Sequence, residues 1–289
     1  MIVLICTVEP RRLNLLPQLI AHYRQLGVER FLFTLHLDPA ADPAANEQGR
    51  ETFHRILEHF DIGDRFYFTD AFDSDAFYGH KDKLQETLVA DSDWIVWVDS
   101  DEFQLYPKPL PAIIKELEAH NIDFLRGVLI DRVGPEGTLP AFNPARPIWQ
   151  QYPLACTITR HIAGGTTYKV ALARGWLQVT FGHHLPAIME TGNAPPLRQA
   201  SAARRALKTL KTHVQVHHFK WESGVIDRLR ERITPQMKAD HAHWVESQRL
   251  LNYFKANNLR FNPSDIREMS AVGPKLLSQP ETSALSPRS

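Results

Sequence analysis

Residues 94–103 read Trp-Ile-Val-Trp-Val-Asp-Ser-Asp-Glu-Phe, an apolar run that ends in three carboxylates, Asp99, Asp101 and Glu102. A short continuous apolar run is the pattern of a buried strand. Asp99 and Asp101 stand two apart, so in extended backbone both side chains point the same way. Two carboxylates aimed at one point repel unless positive charge lies between them. Oxygen ligands suit a hard divalent cation, Mg²⁺ or Mn²⁺. An isolated Asp-x-Asp more often closes a strand as a solvated acidic turn. The buried strand before this one and the histidines after it favour the cation.

Those histidines fall in two pairs, Gly182-His183-His184 and His217-His218-Phe219-Lys220-Trp221, each after an expected strand. Imidazole is a good ligand for divalent metals. Adjacent strand residues face opposite ways, so at most one of each pair faces the acidic strand end. The competing role is a structural histidine bonded to backbone. Lys81 and Lys83 are expected to open the helix feeding the acidic strand, and a helix N-terminus with lysines suits phosphate. Lys169 and Lys220 are candidates to neutralise a diphosphate leaving group. Thr7 and Glu9 close the first strand, beside the crevice where open α/β sheets bind ligands, within reach of a nucleotide base or ribose. Asp131, Glu102, Glu190 and Glu222 are the candidate general bases, since that role needs a carboxylate near the attacking hydroxyl. Asp131 is equally suited to an ion pair with Arg132. Glu102 is expected to orient a ligand from outside the metal's own shell. Trp94, Trp97, Phe103 and Trp221 read as core.

The elements that must position these groups alternate. Strands are expected at residues 2–8, 30–37, 66–69, 94–98 and 123–131, and helices at 13–26 (stopped by Gly27), 47–60, 80–91 and 111–120. That alternation predicts an α/β fold with a mostly parallel central sheet flanked by helices. Further on come a Gly/Pro-rich loop (134–147), a hairpin around Gly175 (168–173 and 176–181), a loop (186–203) and a strand (214–219). Helices at 223–233 and 236–257 form a C-terminal helical segment. One domain over 1–269 is expected, with a nucleotide-binding half (1–133) and an acceptor- and metal-completing half (134–269). Residues 270–289 read as a disordered tail.

Composition narrows the classes. Thirty-three basic and 33 acidic residues balance, so nothing in the charge argues for nucleic acid. Cys6 and Cys156 are far apart and read as buried free thiols, which fits a cytoplasmic protein. The apolar start reads as a strand and not a leader. No run approaches the ~20 apolar residues of a membrane helix, leaving at most peripheral membrane contact. Neither Gly-x-Gly-x-x-Gly after a strand, nor Gly-x-x-x-x-Gly-Lys-Ser/Thr, nor Gly-x-Ser-x-Gly is present.

Four segments together carry a resemblance: Thr7-Val-Glu9, Tyr23-Arg-Gln-Leu-Gly-Val-Glu-Arg30, Trp97-Val-Asp-Ser-Asp-Glu-Phe103 and His217-His-Phe-Lys-Trp221. Over residues 1 to about 260 the chain resembles family 2-like glycosyltransferases of the GT-A fold, the bacterial glycosyl transferase family 2 group and the related family 92 group. The resemblance implies metal-dependent, inverting transfer of a sugar from a nucleotide-diphosphate sugar to a hydroxyl. The acceptor would be a polysaccharide, a lipid-linked sugar or a protein. It implies that Asp99 and Asp101, with Ser100 between them, hold Mn²⁺ or Mg²⁺ on the donor diphosphate. A late histidine would complete the metal shell, His218 ahead of His217, with His184 and Glu102 as alternatives. Thr7 and Glu9 would lie near the nucleoside and Lys83 or Lys81 near base or phosphates; the sequence departs from the family at the base, for which Asp131 and Glu190 are the candidates. Competing readings are a metal-dependent hydrolase or nucleotidyltransferase with the same Asp-x-Asp/His site, and a non-catalytic nucleotide-sugar-binding module.

Overall fold

The computed structural model describes residues 1–187, 208–233 and 241–266. Its elements are β1 (Ile2–Val8), α1 (Leu16–Leu26), β2 (Arg30–His36), α2 (Pro43–His59), β3 (Arg65–Phe68), α3 (Ser74–Leu88), β4 (Trp94–Trp97), β5 (Glu102–Leu105), α4 (Leu110–Ala119), β6 (Phe124–Val133), α5 (Ile148–Gln151), β7 (Leu154–Cys156), β8 (Tyr168–Arg174), β9 (Thr209–His218), α6 (Val225–Glu231) and α7 (His241–Ala256). The strands form one mixed sheet in the order β3-β2-β1-β4-β8-β6-β9-β5, with β7 added beside β6. β3, β2, β1 and β4 run parallel, the expected α/β core with helices between its strands. β8 reverses direction against both β4 and β6, while β9 runs parallel to β6.

Both faces of the parallel half are buried, as its unbroken apolar strands require. Ile2, Leu4, Cys6 and Val8 point into one core cluster with Leu16, Leu19, Ile20 and Tyr23 of α1. Val3 and Ile5 point into another with Ile95 and Trp97. Trp94, Trp97, Phe103 and Trp221 are all core residues, and both cysteines are buried free thiols. A third cluster gathers Trp221, Leu250, Phe254 and Phe261 beneath the C-terminal helices.

Four local differences from the expected elements bear on the site. The first helix is two pieces, a 3₁₀ turn over Pro10–Leu15 and then α1, which starts at Leu16 with Pro17 in its first turn, where the missing N–H of a proline costs nothing. α3 begins at Ser74, capped by Asp73, so Lys81 and Lys83 lie inside the helix and not at its N-terminus. The acidic segment is not one extended strand: β4 stops at Trp97, and Glu102 N–H donates to Asp99 O (3.0 Å), closing a turn before β5. Lastly, β8 has no hairpin partner over 176–181. Gly175 N–H donates to Asp93 O (2.7 Å), and a side chain at 175 would strike the Ala90 carbonyl, so the chain turns away under the start of β4. Among the described residues no helix is long and apolar enough to cross a membrane.

Candidate functional site

Three chain segments meet at the Asp99–Glu102 turn. The first is the carboxyl end of the parallel strands, where open α/β sheets leave a crevice. The second is the start of β5, whose Glu102 stands opposite His218 of β9. The third is the end of β6, whose Asp131 is registered with the same His218. His218 therefore sits on one sheet face between two carboxylate-bearing neighbours. His217, one residue earlier, is registered with Phe103 and Ile130 on the opposite face.

The turn sends its two aspartates to different partners, because the chain is not extended between them. Asp99 Oδ2 accepts from Lys169 Nζ at 3.2 Å, and its Oδ1 lies 3.8 Å from Lys81 Nζ. Asp101 Oδ2 accepts from Arg12 Nη2 at 3.0 Å, while its Oδ1 faces His218 Nε2 at 3.8 Å. Burial opposes ionisation of both. Lys169, His183 and Lys81 nevertheless hold Asp99 well below the usual carboxylate range, and Arg12 and His218 lower Asp101. Arg12 was not foreseen from the sequence. The 3₁₀ turn after β1 swings it inward, where it is buried.

Lys169 is the hub on the Asp99 side. Its Nζ lies 2.6 Å from Glu102 Oε1, and the other Glu102 oxygen accepts from Asp99 N–H at 3.2 Å. Burial lowers an ammonium's pKa, but Glu102 and Asp99 push that of Lys169 upward, so it stays charged. Glu102 is raised by burial against the pull of Lys169. Lys81 is buried and lowered by desolvation, against the opposing effect of Asp99, and it donates to His183 Nε2 at 3.2 Å. His183 is held well below its ordinary value, first by burial and then by Lys81. Of the first histidine pair it is thus His183 that reaches the carboxylates, whereas His184 Nδ1 bonds Tyr168 O at 2.6 Å. The positive φ of His183 (57°) turns it inward, a signal that strand alternation does not carry.

The remaining expected residues are placed as follows. Asp131 is completely buried. Its Oδ1 accepts from Thr159 Oγ1 (2.7 Å) and Trp221 Nε1 (2.7 Å) and lies 3.2 Å from His218 Nδ1, and its Oδ2 accepts from Thr159 N–H (2.6 Å). No proton acceptor on that carboxylate is left facing solvent, and it makes no ion pair with Arg132. His217 is in the core, its ring edge-on to Trp149 and its Nε2 2.9 Å from Gln215 Oε1. Lys220 reaches away to Glu246 of α7 at 2.8 Å. Lys83 is exposed on α3. Ser100 is half-buried in the turn between the two aspartates, and Thr7 is half-buried at the end of β1. Glu9 is engaged by Arg11 at 2.6 Å. Glu222 pairs with Arg228, accepts from Gly224 N–H (2.7 Å) and is lowered by these contacts against burial. Glu190 lies outside the described residues.

Among the described residues, two places have the ligand chemistry for a cation. Ligand atoms of Asp99, Glu102 and His183 lie within 4.8 Å of one another. That position already holds the Lys169 ammonium between its two carboxylates. The second place is the gap between Asp101 Oδ1 and His218 Nε2. Two bonds of about 2.1 Å to one ion span at most about 4.2 Å, so a 3.8 Å separation fits.

No protein-family model matches the chain, and no curated protein matches it. Among solved structures, HddC from Yersinia pseudotuberculosis aligns with a TM-score of 0.37 and 9% identity, covering 81% of this chain and 100% of that one. A UTP-bound UGPase from Acinetobacter baumannii aligns with a TM-score of 0.35 and 11% identity, covering 83% and 97%. Likeness at that level says nothing of what this chain binds or does.

Proposed function

We propose that the chain is a metal-dependent glycosyltransferase that moves a sugar from a nucleotide-diphosphate sugar to an acceptor hydroxyl. The observation that carries this reading is the turn at the carboxyl end of β4. There Asp101 and His218 leave a gap of metal-bridging width beside two lysines, Lys81 and Lys169, that converge on Asp99. Asp101 and His218 would hold the cation. When bound, it would neutralise charge developing on the diphosphate leaving group. Lys81 and Lys169 would supply fixed positive charge beside it, and their burial makes that charge count for more than it would in water. Arg12 holds Asp101 by one oxygen and so leaves the other turned toward His218. Thr7, at the end of β1, borders the same edge and suits the nucleoside.

Thermal-shift titration with UDP, GDP and CDP, each with and without Mn²⁺, tests this reading. One diphosphate should stabilise the protein only with metal, and Asp101→Ala should remove the shift. Persistence of the shift in Asp101→Ala would refute the metal assignment. A donor-hydrolysis screen over nucleotide-sugars then separates this reading from the nucleotidyltransferase one. Sugar released with nucleoside diphosphate supports glycosyl transfer. Formation of nucleotide-sugar from sugar phosphate and nucleoside triphosphate supports the alternative.

A further inference from the structure

Asp131 is completely buried, and both of its oxygens are engaged by neighbouring side chains and backbone. Thr159 gives it two hydrogen bonds, one from the backbone and one from the hydroxyl, and Trp221 gives it a third. Each donor belongs to a packed element. Thr159 opens a π-helical turn over Thr159–Ala163, and Trp221 lies at the centre of the C-terminal core cluster. The carboxylate is thereby fixed in position and orientation, and the group it faces is His218 Nδ1 at 3.2 Å. A carboxylate oxygen accepts and does not donate, so the proton of a neutral His218 belongs on Nδ1. The Nε2 lone pair is then left pointing at Asp101, 3.8 Å away.

We infer that Asp131 is a positioning residue and not the general base: it fixes the tautomer and the ring direction of His218 so that Nε2 serves as a metal ligand. The inference rests on the proposed metal site at Asp101 and His218. A carboxylate behind a metal-binding histidine orients the ring and raises its basicity, and losing it typically costs about 10–100-fold in metal affinity. The π-helical turn has a purpose in this arrangement. It presents the N–H and the hydroxyl of one residue, Thr159, to the two oxygens of one carboxylate. π-turns recur at functional sites.

Asp131→Asn keeps the shape but cannot keep every contact. With its amide oxygen toward His218, the NH₂ group meets Thr159 N–H, another donor. With the amide flipped, NH₂ meets Trp221 Nε1–H, and His218 must accept at Nδ1, which moves its proton to Nε2 and blocks the ligand position. Thr159→Val loosens the carboxylate without changing its charge and guards against a misfolded Asp131 variant. The experiment is titration of each full-length variant with Mn²⁺ alone and with Mg²⁺ alone, followed by electron paramagnetic resonance for Mn²⁺ and competition for Mg²⁺. Urea unfolding is measured in parallel.

Asp131→Asn should weaken Mn²⁺ binding by about 10–100-fold and Thr159→Val several-fold. Both should narrow the preference for Mn²⁺ over Mg²⁺, because imidazole contributes more to the former. A role confined to folding would lower both metals equally. Wild-type affinity and wild-type metal preference in a folded Asp131→Asn or Thr159→Val protein would overturn the inference. If His218→Ala itself leaves Mn²⁺ binding intact, or the wild type binds none, the metal reading falls and the positioning role with it. A loss in His218→Ala without one in Asp131→Asn removes the positioning role alone.

Discussion

Replacing Lys169 by Met would strand two carboxylates. The ammonium lies 2.6 Å from Glu102 and 3.2 Å from Asp99. At an effective dielectric of about 20, Coulomb terms at those separations are roughly 6 and 5 kcal/mol before desolvation is subtracted. The Asp99 side chain is 40% exposed, so solvent screens its share, whereas Glu102 is 2% exposed and has no such relief. Breaking a buried pair from one side costs about 3–5 kcal/mol, and that is the expected loss for Lys169→Met at pH 8. Glu102 is already raised by burial, and removing the lysine that lowers it raises it further. In this variant the folded state therefore holds a proton that the unfolded chain has released. The penalty is small near the ordinary glutamate value of 4.5, builds as pH rises toward the raised folded value, and is complete above it. The depressed Asp99 adds a loss that is already complete at pH 5, since the stability it gains from Lys169 is fully present above its ordinary value of 3.8 and fades only as pH falls below that. Urea denaturation at pH 5 and pH 8 therefore reads the Glu102 effect as the difference between the two. Adding Glu102→Gln should recover most of the loss by removing the stranded charge. A deficit under about 1 kcal/mol, or one that Glu102→Gln does not relieve, would refute the hub role given to Lys169.

Two further outcomes follow from the site. His217→Phe, in the core against Trp149, should cost about 1–3 kcal/mol of stability by repacking, yet leave Mn²⁺ binding unchanged, whereas His218→Ala should abolish it. Metal titration of the two variants side by side checks this, and equal effects on metal would undo the assignment of faces. Mn²⁺ and the preferred nucleoside diphosphate should each tighten the binding of the other by the same factor, since a coupling free energy is reciprocal. Calorimetry of each ligand with and without the other measures it, and independent binding would contradict a shared site.

Much of this arrangement was legible in the sequence because it rests on period and register. The apolar runs at 2–8, 30–37 and 94–98 mark the parallel strands to within a residue or so. The alternation of His217 and His218 separates a core side chain from a site-facing one by the simplest rule of a strand. What the sequence could not show depends on departures from regular backbone. Asp99 and Asp101 do not share one target because β4 ends before them and the chain turns. Arg12 enters because a 3₁₀ turn, not an α-helix, follows β1. His183 replaces His184 because its backbone is left-handed. β5 was invisible as a separate strand, since Glu102-Phe-Gln-Leu is only four residues long and follows the acidic turn directly, and only its pairing with β9 sets it apart. Asp131 carries a residue type that suits a base, and nothing local reveals the contacts it receives from Thr159, Trp221 and His218, far along the chain.

Under the proposed function the lysines of the turn act beside a metal and do not replace it, and the pairing of charges in the turn supports that division. Asp99, Asp101 and Glu102 face Arg12, Lys81 and Lys169, with Asp131 behind His218 and Glu222 beside Arg12, so each acid of the turn has a basic partner. A dication alone or a diphosphate alone would unsettle existing ion pairs, so each should bind more weakly by itself than in the other's company. A dication and a diphosphate arriving together disturb the balance far less. On the proposed function, the metal would take the Asp101 oxygen that faces His218, which Arg12 leaves free, and the phosphates would draw on Lys81 and Lys169 without stripping Asp99 and Glu102 of counter-charge. This pairing keeps the buried and half-buried acids of the turn stable, and under the proposed function it would favour ligands that bring both signs of charge, as a metal-bound nucleoside diphosphate does.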